Sequence, residues 1–356
     1  MRHTSIIFAL LAAVLFGGSI PLAKFFVGNL NFFMLAGLLY LGSGLGLFLF
    51  RLARDKTWKP SGIQHSEWRW LFGAIFFGGI VGPLGLVYGL ATVSGAVASL
   101  MLNLESVFTA LLAWIVFKEN ANKRVVLGMV VIVLGGIVLS WQPGASDGSS
   151  LLGLFAISLA GLCWAIDNNL TRKVSAADAL FIACSKGVLA GVVNCTIGVT
   201  IGEQLPELNI ILSAMTLGLF GFGISLVLFI LALRGLGAAR TGAYFATAPF
   251  IGSAVAILTL GESVELSFWI ASVLMLIGVW LHLTEVHDHM HTHEPLEHEH
   301  FHSHDEHHQH KHEAHEIMEK PHSHLHRHDG ITHQHPHFPD IHHQHSHEVS
   351  KKSGSL

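Results

Sequence analysis

Long stretches of this 356-residue chain contain no charged residue, and only 12% of all residues are charged. A disulfide framework is also lacking, because the three cysteines (Cys163, Cys184 and Cys195) all fall inside apolar stretches. No phosphate-binding loop of the GxxxxGK[ST] type occurs, and no nucleophile triad can be argued from the sequence. Nothing therefore indicates an enzyme, and no nucleic-acid partner is expected.

Apolar segments dominate what is present. Ten of them lie between residues 5 and 284, and each has about the 18 to 23 residues that a helix needs to span a hydrocarbon core. One buried helix of a soluble protein can resemble such a segment, but ten in series cannot. In chain order, segments one to ten are predicted at 5–26, 31–50, 69–90, 96–117, 124–141, 151–168, 178–200, 209–231, 239–260 and 267–284.

The charges of the loops alternate along the chain. Lys and Arg follow segments two, four, six and eight, whereas the loops after segments three, five, seven and nine contain neither. Because Lys and Arg favour the cytoplasmic side, this alternation predicts ten crossings with both termini in the cytoplasm. We therefore expect a multi-pass protein of the inner or plasma membrane, with the lipid bilayer as its first partner.

The ten segments divide into two sets of five. A shift of 143 residues superimposes Glu119 on Glu262, and a shift of 148 superimposes Phe16 on Trp164. Each half has an odd number of crossings, so the halves are inverted, an architecture that secondary transporters use repeatedly. Both acids end the fourth helix of their half, where a solvated or capping carboxylate is the alternative to a role in transport. The predicted domains are 1–141 (first five-helix repeat), 142–286 (second five-helix repeat) and 287–356 (disordered tail).

Segments four and nine carry a family resemblance. Ala96–Glu119 resembles the fourth helix of the EamA repeat, and Ala239–Glu262 resembles the same helix of a second repeat. The chain thus resembles the drug/metabolite transporter superfamily in its ten-helix, all-α form. This resemblance implies a carrier of small organic solutes, often an exporter, that works by alternating access, and it leaves a homodimer open. The first repeat has Glu105-Ser106 where the second has the usual Ala248-Pro249.

Charged groups inside the membrane are the first candidates for the transport path. Glu105 falls near the middle of segment four, where a carboxylate costs about 2.5 to 3.5 kcal/mol on insertion scales. Lys186 in segment seven is its predicted counter-charge, while Asp167 and Asn168 end segment six and are expected to line a cavity. Either these groups form structural ion pairs between helices, or they relay protons or cations during transport.

Aromatic and amide side chains are the next candidates. Tyr88, Trp164 and Tyr244 fall in segments three, six and nine, which line the cavity in families of this kind. Asn103 adds a polar group in segment four. The alternatives are aromatic rings that face lipid and an amide that forms a hydrogen bond between helices.

Histidine is concentrated in the tail, where 24 of the 61 residues from His287 to His347 are histidine. With almost no apolar residue, this tail is predicted to be disordered. Neutral imidazole binds Zn²⁺, Ni²⁺, Co²⁺ and Cu²⁺, so the tail is predicted to bind such ions, although no cofactor is required. A proton buffer or spacer is the alternative. The candidate ligands are His287, His289, His291, His293, His298, His300, His302, His304, His307, His308, His310, His322, His324, His326 and His328.

The tail and the membrane segments favour different substrates. A histidine-rich tail favours a divalent transition metal, whereas the segments lack His, Cys or Asp clusters at ligand spacing and so favour an organic solute. We predict an exporter of a small organic metabolite or drug-like solute, with a tail that regulates transport or buffers metal. The alternatives are a Ni, Co or Zn efflux carrier and a non-transporting membrane metal sensor.

Overall fold

The computed structural model describes residues 2–56, 61–116, 123–140, 148–202 and 205–283, together with tail residues 288–292, 296–302, 322–328 and 332–336. These residues belong to two compact units, a large one within residues 1–285 and a small one within residues 286–338. The described part of the large unit is built from helices, and that of the small unit from strands.

The described helices confirm the predicted segments. Nine of them are long and apolar enough to cross a membrane, and a tenth apolar helix, Leu266–His282, is shorter. The first half contains α1 (Arg2–Ala23), α2 (Phe32–Asp55), α3 (Trp68–Ala74), α4 (Gly82–Thr92), α5 (Gly95–Met101), α6 (Leu104–Ile115) and α7 (Lys123–Ser140), with 3-10 turns at Lys24–Phe26 and His65–Glu67. The second half contains α8 (Gly148–Val174), α9 (Ala179–Thr200), α10 (Leu208–Gly218), α11 (Ser225–Phe245), α12 (Ala248–Leu260) and α13 (Leu266–Leu283).

Two irregularities recur at equivalent places in the two halves. A π-helix joins α3 to α4 at Ile75–Val81, and another joins α10 to α11 at Leu219–Ile224. Segment four is interrupted at Leu102–Asn103, and segment nine at Ala246–Thr247. Both features obey the shift of 143 residues to within one residue. The repeat inferred from a few matched residues is therefore present in the backbone.

One predicted loop is replaced by helix. The sequence predicts a loop between residues 231 and 239, whereas α11 continues without interruption from Ser225 to Phe245. Glycines in this stretch weaken a helix but do not prevent one. The helical path ends only at Ala246–Thr247, because Pro249 in the next turn has no backbone N–H to donate.

Glycines let the two halves pack closely. Gly44 of α2 and Gly187 of α9 are repeat equivalents, and a methyl group on Gly187 would lie 2.4 Å from the Gly44 backbone nitrogen. A methyl group on Gly128 of α7 would lie 2.9 Å from the carbonyl oxygen of Gly278 on α13. Segment two thus packs on segment seven and segment five on segment ten, as small residues permit in membrane helices.

Four tail segments form β-strands, where the sequence predicts no regular structure. β1 (Asp288–Thr292) pairs with β4 (Thr332–Pro336), and β2 (Leu296–His302) pairs with β3 (His322–His328), both antiparallel. Alternation of histidine with other residues matches the two-residue period of a strand, which low apolar content alone does not reveal. The candidate ligands outside the described residues are His287, His293, His304, His307, His308 and His310.

Candidate functional site

Two equivalent aromatic residues meet between the halves. The rings of Phe16 on α1 and Trp164 on α8 have centroids 5.4 Å apart and planes at 80°. Residues related by a twofold rotation can touch only where the rotation axis passes close to both. The pair therefore marks the pseudo-twofold axis, which is where inverted repeats place a substrate site.

Further rings surround this axis. Phe16 contacts Phe222 at 5.7 Å and Phe245 at 5.4 Å, and Tyr40 contacts Phe222 at 5.5 Å between centroids. Tyr40, Phe222 and Trp164 are buried, whereas Phe16 and Phe245 are half-buried. The axis is thus lined by aromatic groups from segments one, two, six, eight and nine. Edge-to-face contacts of this kind stabilise a defined arrangement of rings.

A buried ion pair lies beside the rings. Lys186 Nζ on α9 is 2.6 Å from Asp167 Oδ1 and 2.7 Å from Oδ2 on α8. Thr171 Oγ1 donates to Asp167 Oδ1 at 2.9 Å, and the Lys186 side chain is only 2% exposed. The predicted Glu105–Lys186 pair is therefore wrong, since Asp167 occupies both donors of interest on the adjacent helix. Such hydrogen bonding offsets the cost of removing both charges from water.

Glu105 has an amide as its described partner. It lies in the first turn of α6, and Asn168 Nδ2 donates to its Oε1 at 2.7 Å. Gly161, two turns before Asn168, leaves room for this approach, because a methyl group there would lie 3.4 Å from the Glu105 nitrogen. An acid in the first turn also complements the positive end of the helix dipole. Glu105 is half-buried, so it is more accessible than Asp167 or Lys186.

The first π-helix connects the rings to the ion pair. The Gly78 carbonyl oxygen accepts from Tyr40 Oη at 2.6 Å and from Trp164 Nε1 at 3.0 Å. A methyl group on Gly78 would lie 2.0 Å from Asp167 Oδ2, so only glycine fits. π-helices occur frequently at functional sites. The sequence analysis missed Tyr40 and Gly78, although a hydroxyl in the apolar segment two was a signal.

Glu262 joins the two halves on the side of the loop after segment nine. Its Oε1 accepts from the Gly95 N–H at 2.7 Å and its Oε2 from the Ala96 N–H at 2.8 Å, at the start of α5. Lys24 Nζ lies 3.2 Å from Oε1. Burial raises the pKa of Glu262, but these hydrogen bonds and Lys24 outweigh it and hold the pKa below its ordinary value. Glu262 is thus a capping carboxylate, while Glu119 lies outside the described residues.

A second charged cluster lies on the side of the basic loops. Asp178 caps α9 by accepting from the Leu180 N–H at 2.8 Å, and Arg54 Nη2 of α2 donates to its Oδ2 at 2.6 Å. Burial raises the pKa of Asp178, but Arg54 and the backbone N–H groups outweigh it and lower the pKa. Segments two and seven are therefore tied together at this end.

Three predicted residues lie apart from the ion pair. Tyr88 is 39% exposed and its ring faces Phe32, because it lies near the end of segment three rather than its middle. Tyr244 packs against the small cluster around Ala232. Asn103 is buried at the interruption of segment four, where its Nδ2 donates to the Leu100 carbonyl at 3.0 Å. Among the membrane segments that the structure describes, no three His, Cys, Asp or Glu side chains could hold a metal ion.

A membrane protein of two inverted five-helix repeats, with a polar and aromatic centre on the repeat axis, belongs to the structural class of secondary transporters. The comparison with protein families defines the particular family. The model of the EamA-like transporter family matches residues 3–141 and 151–284, once for each half. The chain belongs to this family.

Relatives in other organisms agree with this assignment. An uncharacterized transporter of Methanothermobacter thermautotrophicus is 27% identical over 286 residues, covering 76% of this chain and 83% of the relative. The uncharacterized transporter YyaM of Bacillus subtilis is 24% identical over 294 residues, covering 78% and 93% respectively. A crystal structure with 17% identity superimposes with a TM-score of 0.60, covering 79% of this chain and 96% of the other. The last similarity shows the fold alone.

Proposed function

We propose that the protein exports a small organic metabolite or drug-like solute along a path between its two halves. The observation that carries this proposal is the contact of Phe16 with its repeat equivalent Trp164 at the axis, beside a buried ion pair. Aromatic walls with a few fixed polar groups are typical of sites for organic ligands. Rocking of the halves about this axis would expose the site to each side in turn.

Within this path, Glu105 is the proposed coupling group. Its described partner is the neutral amide of Asn168, so it can gain or lose a proton without breaking an ion pair. Asp167 cannot do so, because Lys186 holds both of its oxygens. We assign the Asp167–Lys186 pair to positioning segments six and seven, and Glu105 to the proton or cation that accompanies the solute.

The tail is proposed to serve transport from the cytoplasm of the inner or plasma membrane. The alternation of basic loops supports a cytoplasmic location for both termini. Histidine makes Zn²⁺, Ni²⁺, Co²⁺ and Cu²⁺ the expected ligands of the tail, where bound metal would regulate the carrier or be buffered.

Divalent-metal efflux is the second candidate function. It is favoured by the 24 histidines of the tail, which would collect ions for export. Against it, the described membrane segments bring no three His, Cys, Asp or Glu side chains together. A path for bare ions needs such ligands, whereas a path for an organic solute does not.

Flux measurements in proteoliposomes test both functions. We would load vesicles with a mixture of small metabolites and identify by mass spectrometry those that leave, from pH 5 to 8. Wild type should deplete particular organic solutes, and Glu105→Gln should lose at least about tenfold of that flux together with its pH dependence. Glu207→Gln, which removes an exposed acid, is the matched control and should behave as wild type.

The same vesicles distinguish the metal alternative. Ni²⁺, Co²⁺ and Zn²⁺ flux would be compared for the full chain, a chain that ends at residue 285 and Glu105→Gln. Metal flux that survives truncation and fails in Glu105→Gln would replace the organic solute with a metal ion. No flux of any solute or metal from any form would contradict both functions and favour a non-transporting sensor.

A further inference from the structure

Histidines stand opposite histidines across β2 and β3. Since side chains alternate between faces, residues two apart in a strand share one face. All three histidines of β2 are matched in this way, so six histidines share one face of this two-stranded sheet. The opposed pairs are His298 with His326, His300 with His324 and His302 with His322.

The other sheet repeats this pattern. His289 of β1 is opposite His335 of β4, and His291 is opposite His333. The four therefore share one face. An antiparallel pairing shifted by one residue would place every histidine opposite another residue type instead. Both sheets have the one register of the two that brings histidines together.

The opposite face of each sheet has no comparable set of ligands. On β2 and β3 it holds the pairs Glu297 with Arg327, Glu299 with Leu325 and Phe301 with Ser323. On β1 and β4 it holds Asp288 with Pro336, Met290 with Gln334 and Thr292 with Thr332. The register therefore separates the imidazoles from the acids, which a tail described by composition alone would leave mixed.

Strand geometry gives these positions a spacing suited to metal. Directly opposed residues have Cβ atoms about 4.5 to 5.5 Å apart, and same-face neighbours along a strand are about 7 Å apart. Two adjacent pairs place four imidazoles at the corners of a rectangle of about 5 by 7 Å. Imidazole nitrogens bind zinc at about 2.0 to 2.1 Å in a tetrahedral arrangement, and they suit nickel, cobalt and copper as well.

We propose that the tail carries two separate transition-metal sites, one on the histidine face of each sheet. The site on β1 and β4 uses its four histidines. The site on β2 and β3 uses the central pair, His300 and His324, with one flanking pair. This inference rests on the metal role proposed for the tail and adds that strand register, rather than histidine content, creates the sites.

Metal titration of the full-length protein in detergent tests the register. We would measure Zn²⁺ stoichiometry by equilibrium dialysis, and Co²⁺ binding by its visible absorption, which is strong for tetrahedral coordination. His300→Ala with His324→Ala removes the pair common to every four-histidine set on β2 and β3. The matched control, His307→Ala with His308→Ala, also removes two histidines, but from outside the strands.

A second variant keeps the composition unchanged. Glu299→His with His300→Glu moves one imidazole to the opposite face of β2. We expect this variant and the pair deletion each to weaken one of two sites at least tenfold, while the control leaves both intact. Equal losses in the pair deletion and the control, or no loss in the exchange variant, would overturn the register.

The failures of the two proposals remain distinguishable. Wild type that binds neither Zn²⁺ nor Co²⁺ at pH 7.5 would overturn both the two sites and the metal role of the tail. The transport proposal would be unaffected, because it depends on flux through the helical unit. Tight binding that scales only with the number of histidines would overturn the two sites and retain the metal role.

Discussion

The charged centre of the protein has an uncharged counterpart in the other half. By the repeat shifts, Asp167 corresponds to Ser19 and Lys186 to Ser43. Both serines are buried, as are the two charged residues. The same helices therefore meet around a salt bridge on one side of the axis and around hydroxyl groups on the other.

Glycine packing is conserved between these two places although the chemistry is not. A methyl group on Gly78 would lie 2.0 Å from Asp167 Oδ2, and one on the equivalent Gly221 would lie 2.3 Å from the Ser19 Cβ. The close contact is thus a property of the repeated fold, and the salt bridge is not. A buried ion pair that the fold does not need is a candidate for function or for positioning.

The largest expected effect is the loss of Lys186. Lys186→Met should destabilise the protein by about 3 to 5 kcal/mol, because it leaves the Asp167 carboxylate uncompensated in the membrane. Thermal unfolding in detergent would measure this loss. The double variant Asp167→Asn with Lys186→Met should recover most of the stability. Ser43→Ala, the equivalent change on the uncharged side, should cost less than about 1 kcal/mol.

Equal stabilities of Lys186→Met and Ser43→Ala would show that the two sides of the axis do not differ in energy. Lys123→Met supplies a further control, since it removes an exposed lysine at the start of α7. It should change stability by less than about 0.5 kcal/mol.

A smaller loss is expected from Gly78→Ala. The new methyl group would displace Asp167 and the carbonyl that accepts from Tyr40 and Trp164, at a cost of about 1 to 3 kcal/mol. Gly18→Ala is the control, because no atom lies within 4 Å of its added methyl group. Unfolding midpoints of the two variants would be compared under identical conditions. Similar midpoints would mean that Gly78 tolerates a side chain and does not hold Asp167 in place.

The smallest effect concerns the carboxylate that joins the halves away from the axis. Glu262→Gln should cost about 1.5 to 3 kcal/mol at pH 7, because charge-assisted hydrogen bonds to Gly95 and Ala96 weaken. Glu262 has a lowered pKa in the folded protein. Its contribution is therefore present above its unfolded pKa, about 4.3, and is lost as the pH falls through the folded pKa.

Wild type and Glu262→Gln should consequently converge in stability between about pH 5 and pH 3. Chemical unfolding at several pH values would follow this convergence. A constant difference down to pH 3 would assign the effect to packing rather than to the charge of Glu262.

Much of the helical fold followed from the sequence, since segment length and loop charge depend on local composition. The glutamate shift also located the repeat, and the Phe16–Trp164 match located its axis. The partner of Lys186 did not follow, because Glu105 and Asp167 are both within reach of a lysine until helix rotation is known. Tyr40 was missed for the same reason, since its role depends on a carbonyl that the π-helix presents.

The tail gave the opposite result. Its low apolar content predicted no regular structure, whereas its two-residue alternation is compatible with strands. Composition and periodicity pointed in different directions there, and composition was given more weight. In the helical segments the two signals agreed.

Thiol labelling at the axis tests the central claim that the transport path lies between the halves. We would replace the three native cysteines with serine, introduce Phe16→Cys or Leu258→Cys, and add a membrane-impermeant maleimide to each side of proteoliposomes. Leu258 is 82% exposed on a helix surface that we expect to face lipid. The account predicts that Phe16→Cys reacts from at least one aqueous side, that a transported solute slows this reaction, and that Leu258→Cys stays unmodified. Phe16→Cys that is as unreactive as Leu258→Cys from both sides would contradict a path along the axis.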